Sequence, residues 1–434
     1  MKQSSIDVIQ MHFDQIQPNY AKVIITVPKN YVSALYKRAS LAQKNEIFTY
    51  GFPKGATPLS YIEQNYKASL LDHVKEFLFK YFVMSSLYTK LLAQKVRIGG
   101  EPRLHDISLT TEDDAHYHFE LSLIAPIDLS RWKTLLFKSP KRKNYKDIDR
   151  QVESFIKDEL NNLKKYQNCA IEVGDWVCFT IRLMDEESES FLGDYYETLW
   201  LKIGNEEADI QFQEVFVGKQ KGDTFYSSEK CFQEYFTSSL NSNYRFFIEI
   251  KDIVHHVFFS IDHLKHHFKL RSNKEVHQKL IEVFSYRNDL SLRRATAEEA
   301  LKLLISNEPF DVPNYLVLRQ QKGVLEAVST NPDYHVYKTQ PTFQEHIRQL
   351  AIKQAKEMLL IDQLIHEENI SLTQTDFLSY LNLVKRPRTK EFVYFNLPNS
   401  KVDEQEFPLS SVILGQCCLR EKTLNHVIYV LTKK

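Results

Sequence analysis

Along this chain the spacing of apolar positions switches repeatedly between the strand and the helix period. Ala21–Val27 (AKVIITV) is a β-branched run closed by Pro28, which predicts a strand. Val32, Leu35, Tyr36 and Ala39 then recur at helical spacing and predict a short amphipathic helix over Val32–Gln43. The segment Thr49–Pro58 interrupts the pattern with Gly51, Pro53, Gly55 and Pro58. Beyond it, Leu70, Val74, Phe77, Leu78, Tyr81 and Phe82 make a wide apolar helical face within Leu59–Tyr88. Strands are expected at Lys95–Ile98, Arg103–Thr110 and Tyr117–Ile124, the last alternating Phe119, Leu121 and Leu123. Residues 1–128 therefore read as one α+β domain.

Residues 129–168 change character. Lys133, Lys138, Lys141, Arg142, Lys143 and Lys146 gather around Ser139-Pro140, a basic connection expected to be solvated. Val152, Phe155, Ile156, Leu160 and Leu163 then form one stripe of a helix over Asp149–Tyr166. Across residues 169–259 the period becomes two, with strands expected at Trp176–Leu183, Thr198–Ile203, Thr224–Tyr226 and Tyr244–Val257. Gly193, Gly204, Gly218 and Gly222 fall between these strands and supply turns. Residues 260–434 return to the helical period. Ser272 can cap a helix carrying Val276, Leu280 and Val283. Thr296 and Glu299 have capping-box spacing for a helix over Thr296–Ile305, and Pro313 suits the start of another. Thr342–Glu368 is the longest expected helix, with shorter ones at Thr373–Leu383 and around Val402–Lys422.

A chain of 434 residues exceeds one ordinary core, so about two to four domains are expected. The balance of 56 Lys plus Arg against 56 Asp plus Glu leaves no chain-wide field for nucleic acid or membrane, and any charged partner must meet a local patch. With only 11 glycines, a glycine-rich nucleotide-binding architecture is disfavoured. The five cysteines are sparse and odd in number, without C-x-x-C spacing, as expected of reduced thiols in a cytoplasmic protein. Asp7, His12 and Asp14 break the apolar residues near the amino end, so no export signal is expected, and no stretch approaches the ~20 apolar residues of a membrane span.

Three features carry candidate chemistry. In Tyr50-Gly51-Phe52-Pro53-Lys54-Gly55-Ala56-Thr57-Pro58, glycines and prolines fix an irregular backbone that presents an aromatic and a cation. Such a tip can press a ring into a partner groove and pair its ammonium with acidic or phosphate groups. It can equally be a helix connection whose Phe52 covers the core. His255, His256, His263, His266 and His267 cluster, and His263 with His267 can share a helix face, but no glutamate or third ligand completes a zinc motif. No metal is expected. Finally, the helical residues Tyr315, Leu316, Val324, Met358, Leu359 and Phe392-Val393-Tyr394-Phe395 offer shallow apolar surface of the kind that holds unfolded chains weakly.

The Gly51-Phe52-…-Gly55-…-Pro58 loop and the helix after it resemble the ribosome-docking signature of bacterial trigger factor, G-F-R-x-G-x-x-P. Pro53 stands where the signature has arginine, and Lys54 supplies the remaining positive charge. The order of regions and Phe310-Asp311-Val312-Pro313 also match, so the resemblance spans essentially the whole chain. It implies an α+β multidomain fold: a ribosome-binding α+β domain, a basic linker, an FKBP-like antiparallel module over 169–259 and an all-α chaperone body. The body, last in sequence, would lie between the other two in space. It further implies an ATP-independent cytoplasmic chaperone without a cofactor, whose partners are the ribosome exit site (protein and rRNA) and nascent polypeptides, and it leaves a homodimer open. Phe52, Pro53 and Lys54 would be the docking residues, with attachment weaker and more salt-sensitive because a forked guanidinium is missing.

In the strand-rich module the resemblance points to a prolyl isomerase pocket. The barrier to rotation about a prolyl bond, roughly 18–20 kcal/mol, falls when an apolar aromatic pocket desolvates the amide, with no nucleophile needed. Phe191, Ile210, Phe212 and Tyr235 match the family's pocket positions, while Asp209 replaces an apolar floor residue and Leu199 an aromatic wall. Whether the module is an active isomerase is thus left open. The other readings are a ribosome-independent holdase and a dedicated prolyl isomerase.

Overall fold

The computed structural model describes residues 9–99, 101–124, 127–141, 146–184, 190–193, 195–237, 243–287, 290–398 and 400–433. Strands β1 (Gln10–Gln17) and β2 (Tyr20–Val27) lead into helices α1 (Lys29–Glu46), α2 (Leu59–Asn65), α3 (Lys67–Leu78) and α4 (Met84–Ala93). A π-helical turn, Phe79–Val83, joins α3 to α4, and β3 (Arg103–Ser108) and β4 (Ala115–Ser122) follow. The four strands form one antiparallel sheet in the order β1-β2-β4-β3. Alternation sets its faces: Ala115, Tyr117, Phe119 and Leu121 point inward onto the helices. β1 carries little apolar signal because it is an edge strand exposed over most of its length. The strand expected at Lys95–Ile98 reduces to a single bridge from Ile98 to Leu123.

The basic connection is less solvated than its charge predicts. Ile127, Leu129 and Trp132 bury in the helical body, Trp132 Nε1 donates to Glu368 at 3.2 Å, and Lys133 pairs with Glu368 at 2.8 Å. Arg142 and Lys143 lie outside the described residues. The linker helix is α5 (Lys146–Lys165).

The strand-rich module comprises β5 (Trp176–Met184), β6 (Glu197–Lys202), α6 (Ile210–Phe216), β7 (Thr224–Ser227), α7 (Lys230–Phe236) and β8 (Arg245–Val254). Its antiparallel sheet runs β6-β5-β8-β7, and the short strand Leu409–Ser410 from far along the chain pairs with the free edge of β6. β5 reads WVCFTIRLM, almost without polar alternation, because both faces are covered. Val177, Phe179, Ile181 and Leu183 belong to the core shared with the amino-terminal region, whereas Trp176 and Cys178 face the carboxy-terminal helices. Trp200 stacks on Phe377 with ring centroids 6.0 Å apart.

That shared core departs from the arrangement the resemblance implies. The amino-terminal region meets the strand-rich module directly: Phe77, Tyr81 and Phe82 lie in one apolar cluster with Tyr195, Phe236, Tyr244 and Phe246. A helix face this wide and aromatic needs more apolar surface than the amino-terminal sheet offers, and the module supplies it.

Helices α8 (Ile261–Phe268), α9 (Asn273–Phe284), α10 (Leu292–Asn307), α11 (Asn314–Ser329), α12 (Tyr334–Tyr337), α13 (Phe343–Glu367), α14 (Gln374–Val384), α15 (Pro387–Lys390) and α16 (Ser411–Thr432) build the body. Ser272 caps α9, its side chain accepting from Glu275 N. The box expected at Thr296 does not form. Ser291 caps α10 instead, and the Thr296 hydroxyl, inside the helix, donates to Leu292 O at 2.8 Å. In Val402–Lys422 the chain first makes a hairpin, with Asp403 (φ 47°) and Glu404 (φ 67°) in the left-handed region at its turn. The helix begins only at Ser411. Arg293 and Glu421, both buried, pair at 3.3 Å, and Arg420 grips Asp362 with two 2.7 Å bonds. α11 and α13 carry a small separate core of Val317, Val324, Phe343, Ile347 and Ala351. Among the described residues no helix is long and apolar enough to cross a membrane.

Candidate functional site

The loop between α1 and α2 is built from two consecutive turns. Phe52 N donates to Thr49 O at 3.1 Å, and Ala56 N donates to Pro53 O at 3.0 Å. Each turn places a glycine third with positive φ, Gly51 at 88° and Gly55 at 78°. A side chain at either position would meet open space, so backbone conformation alone demands glycine there. Phe52, the expected aromatic contact, is half-buried, its ring 6.0 Å from Tyr61. Pro53 and Lys54 are exposed, and Lys54 Nζ stands 3.6 Å from Glu46 Oε2, a surface pair that holds its charge only loosely.

Two aromatics that the motif does not include stand further out. Tyr50 is 97% exposed and Phe48 78% exposed. With Phe52 they occupy alternate positions over five residues at the end of α1. Exposure of this degree makes no contribution to folding, because neither ring leaves water. The loop motif takes in Tyr50 but not Phe48, whose one sequence signal is an aromatic ring outside any periodic face.

The isomerase-type residues lie in a different environment. Phe212 on α6 is fully buried, edge-on to Phe232 at 5.7 Å. Ile210 opens α6 and is 46% exposed, so the structure does not bring it together with Phe212 as a shared wall. Phe191 and Tyr235 are half-buried against the core shared with the amino-terminal helices. The same core holds Phe82, 4.2 Å ring to ring from Tyr195, and Phe77, 5.4 Å from Phe236. Tyr81 Oη accepts from Leu183 N at 3.2 Å and lies 3.3 Å from Tyr195 O, engaging the module's own backbone. His73 Nε2 pairs with Tyr244 Oη at 2.6 Å, and Thr237 Oγ1 meets Glu76 Oε2 at 3.1 Å. Burial holds His73 down to about 4, so the ring is neutral. Glu197, pushed up to about 7 by burial, bonds Tyr195 Oη at 3.1 Å and Ser410 Oγ at 3.0 Å.

Asp209 is buried, as its position in the pocket pattern suggested, but it is not unpaired. Its carboxylate accepts from Glu206 N at 3.2 Å and Glu406 N at 2.8 Å. Gly204 makes room for it, since a Cβ there would come within 1.8 Å of Asp209 Oδ2. The residue thus ties the module to the hairpin before α16, a role visible only once the two segments meet.

The histidines divide among separate partners. His255 and His256 clasp Asp175, each Nδ1 at 2.8 Å, and this carboxyl is held below its usual range. His266 Nε2 pairs with Asp376 at 3.1 Å, and His267 Nε2 with the Asn425 amide at 2.8 Å. Among the described residues His263 and His267 share no partner. Among the described residues no three His, Cys, Asp or Glu side chains converge on one metal position.

A family model described as "Bacterial trigger factor protein (TF)" matches residues 9–157. Trigger factor of Desulfosudis oleivorans is 23% identical over 355 residues, covering 75% of each chain. That of Clostridium tetani is 20% identical over 390 residues, covering 85% of this chain and 88% of the relative. That of Geobacter metallireducens is 22% identical over 387 residues, 86% and 87% covered. A solved structure described as "Promiscuous Substrate Recognition in Folding and Assembly Activities of the Trigger Factor Chaperone" aligns along 96% of this chain and 99% of its own. The identity there is 14% and the TM-score 0.36, a likeness too slight to build on. The family match thus takes in the region that holds the glycine-pinned tip, and along most of its length the chain is similar, at low identity, to bacterial trigger factors.

Proposed function

We propose that this chain is an ATP-independent chaperone that docks on the ribosome through the Phe48–Lys54 tip and shelters emerging polypeptides along its helical body. The observation that carries the reading is the near-complete exposure of Tyr50 and Phe48 on two glycine-fixed turns. Burying one such ring against a partner is worth roughly 2–3 kcal/mol, enough to make each a hot spot. Apolar contact is little screened by salt. The salt-sensitive attachment expected from the sequence therefore gives way to attachment that survives moderate salt. Exposed Tyr315, Leu318, Val336, Tyr337 and Leu350 on α11, α12 and α13 support client contact there.

In this reading the strand-rich module is a weak isomerase at rest. Phe77, Tyr81 and Phe82 pack into the same apolar cluster as Phe191 and Tyr235 and touch Tyr195 and Phe236 beside them, which supports a pocket with little free apolar wall. This favours a chaperone over a dedicated isomerase. Co-sedimentation with ribosomes across a salt series tests the docking. Wild type should pellet, and Phe48→Ser with Tyr50→Ser should abolish pelleting while leaving the fold intact. Pelleting unchanged in that double variant would remove the docking reading.

A further inference from the structure

One cavity of the body is unrelated to the tip and to the module's flank. It has a volume of about 370 Å³ and lies between the carboxy-terminal end of α8 and one face of α16, closed at one side by Asp376 of α14. Three lysines line it, Lys265, Lys269 and Lys422, against one carboxylate among the described residues, Asp376. That carboxylate is already committed. Its oxygens take Thr373 N, Thr373 Oγ1, His266 Nε2 and Lys422 Nζ at 2.7 to 3.1 Å. The nearby Glu368 is occupied by Lys133 and Trp132.

Lys265 is therefore left with a loose 3.9 Å approach to the exposed Asp262, and Lys269 with no ion pair among the described residues. Lys269 holds a left-handed backbone (φ 54°), uncommon for a residue with a side chain. The mouth is electropositive beyond the cavity itself: the exposed Tyr429 hydroxyl is drawn below its ordinary value by Lys433 first, with Arg271 and Lys269 contributing. Phe268, Leu270 and Tyr429 give the same cavity an apolar side.

Lysines at a helix carboxy-terminus can simply complement its dipole. Here two of the last carbonyls of α8 already have backbone partners, His266 O accepting from Lys269 N at 3.2 Å and Lys265 O from Leu270 N at 2.9 Å. Two cations facing a concave site beside an apolar wall fit an amphiphilic anion better than bare solvent. The size is that of a small-molecule site.

We propose that this α8–α16 cavity binds a small organic phosphate, its phosphoryl group between Lys265 and Lys269 and its apolar part against Phe268, Leu270 and Tyr429. The inference goes beyond the proposed docking and client roles and stands independently of them. Isothermal titration of the full-length protein at fixed ionic strength tests it, with phenyl phosphate as probe beside inorganic phosphate and benzyl alcohol. Phenyl phosphate is expected to bind at least about tenfold more tightly than either. Lys265→Ala with Lys269→Ala should weaken it at least about tenfold, and Lys322→Ala, an exposed lysine on α11, should change nothing. Circular dichroism and ribosome pelleting of the double variant should match wild type, which separates this site from the tip. Absence of binding, equal affinity for all three probes, or an equal loss in Lys322→Ala would each overturn the proposal and leave these lysines as helix-end charges.

Discussion

The tip between α1 and α2 and the flank where α3 meets the strand-rich module are both dense in aromatic residues, and the chain treats them oppositely. Tyr50 is 97% exposed, whereas Tyr81 and Phe82 are sealed against Tyr195 and Phe236. At the tip a ring costs the fold nothing to change and has its whole surface to give a partner. At the flank each ring is committed to intramolecular packing, so a substitution there is a stability question first. Aromatic content does not announce function; exposure set by neighbours does.

The largest effect that can break this contrast is at the flank. Phe82→Ala should destabilise the protein by about 3–5 kcal/mol in urea unfolding, because it leaves a cavity in a shared core. It should also raise catalysis in a proline-limited refolding assay by loosening that core. A cost below about 1 kcal/mol would mean that the amino-terminal region and the module do not share a core in solution.

Next in size is a pH effect at the same interface. Glu197, raised to about 7 from 4.5, keeps its proton in the fold while the unfolded chain releases it. Stability should therefore fall as pH rises through that interval, by on the order of 3 kcal/mol. His73, lowered from 6.5 to about 4, works the other way: the unfolded chain takes up a proton that the fold refuses, and stability falls as pH drops from 6.5 to 4. Urea midpoints of Glu197→Gln between about pH 5 and about pH 8 should lose the first slope and keep the second. A wild-type slope surviving in the variant would place that titration elsewhere.

At the tip, Tyr50→Ser alone should weaken ribosome binding by about 2 kcal/mol with unfolding changed by less than about 0.5 kcal/mol. Equal effects on both measurements would erase the distinction between the regions. Smallest is Gly51→Ala. It should cost about 1 kcal/mol through the left-handed backbone alone, since no atom lies near the added methyl, and binding should fall only as far as the turn is displaced.

Much of the molecule was legible from its residues. The succession of α+β region, linker helix, strand-rich module and helical body follows apolar period, and the tip follows from two glycines and two prolines. Other features were not legible. β1 is an exposed edge strand with a weak pattern, and the helix expected from Thr296 starts earlier, capped by Ser291, which leaves Thr296 inside it. Phe191 and Tyr235 could be placed by resemblance, yet nothing local in either stretch says that α3 and its π-helical turn will share their core.

The sequence by itself determined most of the strands and helices, the turns of the tip, and which faces are apolar, because these depend on neighbours a few residues away. Only the tertiary structure decided which apolar faces meet, that Asp209 finds Glu406 N, that Leu409–Ser410 completes a sheet begun at Trp176, and that three lysines surround one cavity. Those outcomes depend on contacts between residues a hundred or more positions apart. Many pairings of greasy surface are then nearly equivalent in transfer free energy, and shape and polar satisfaction select among them.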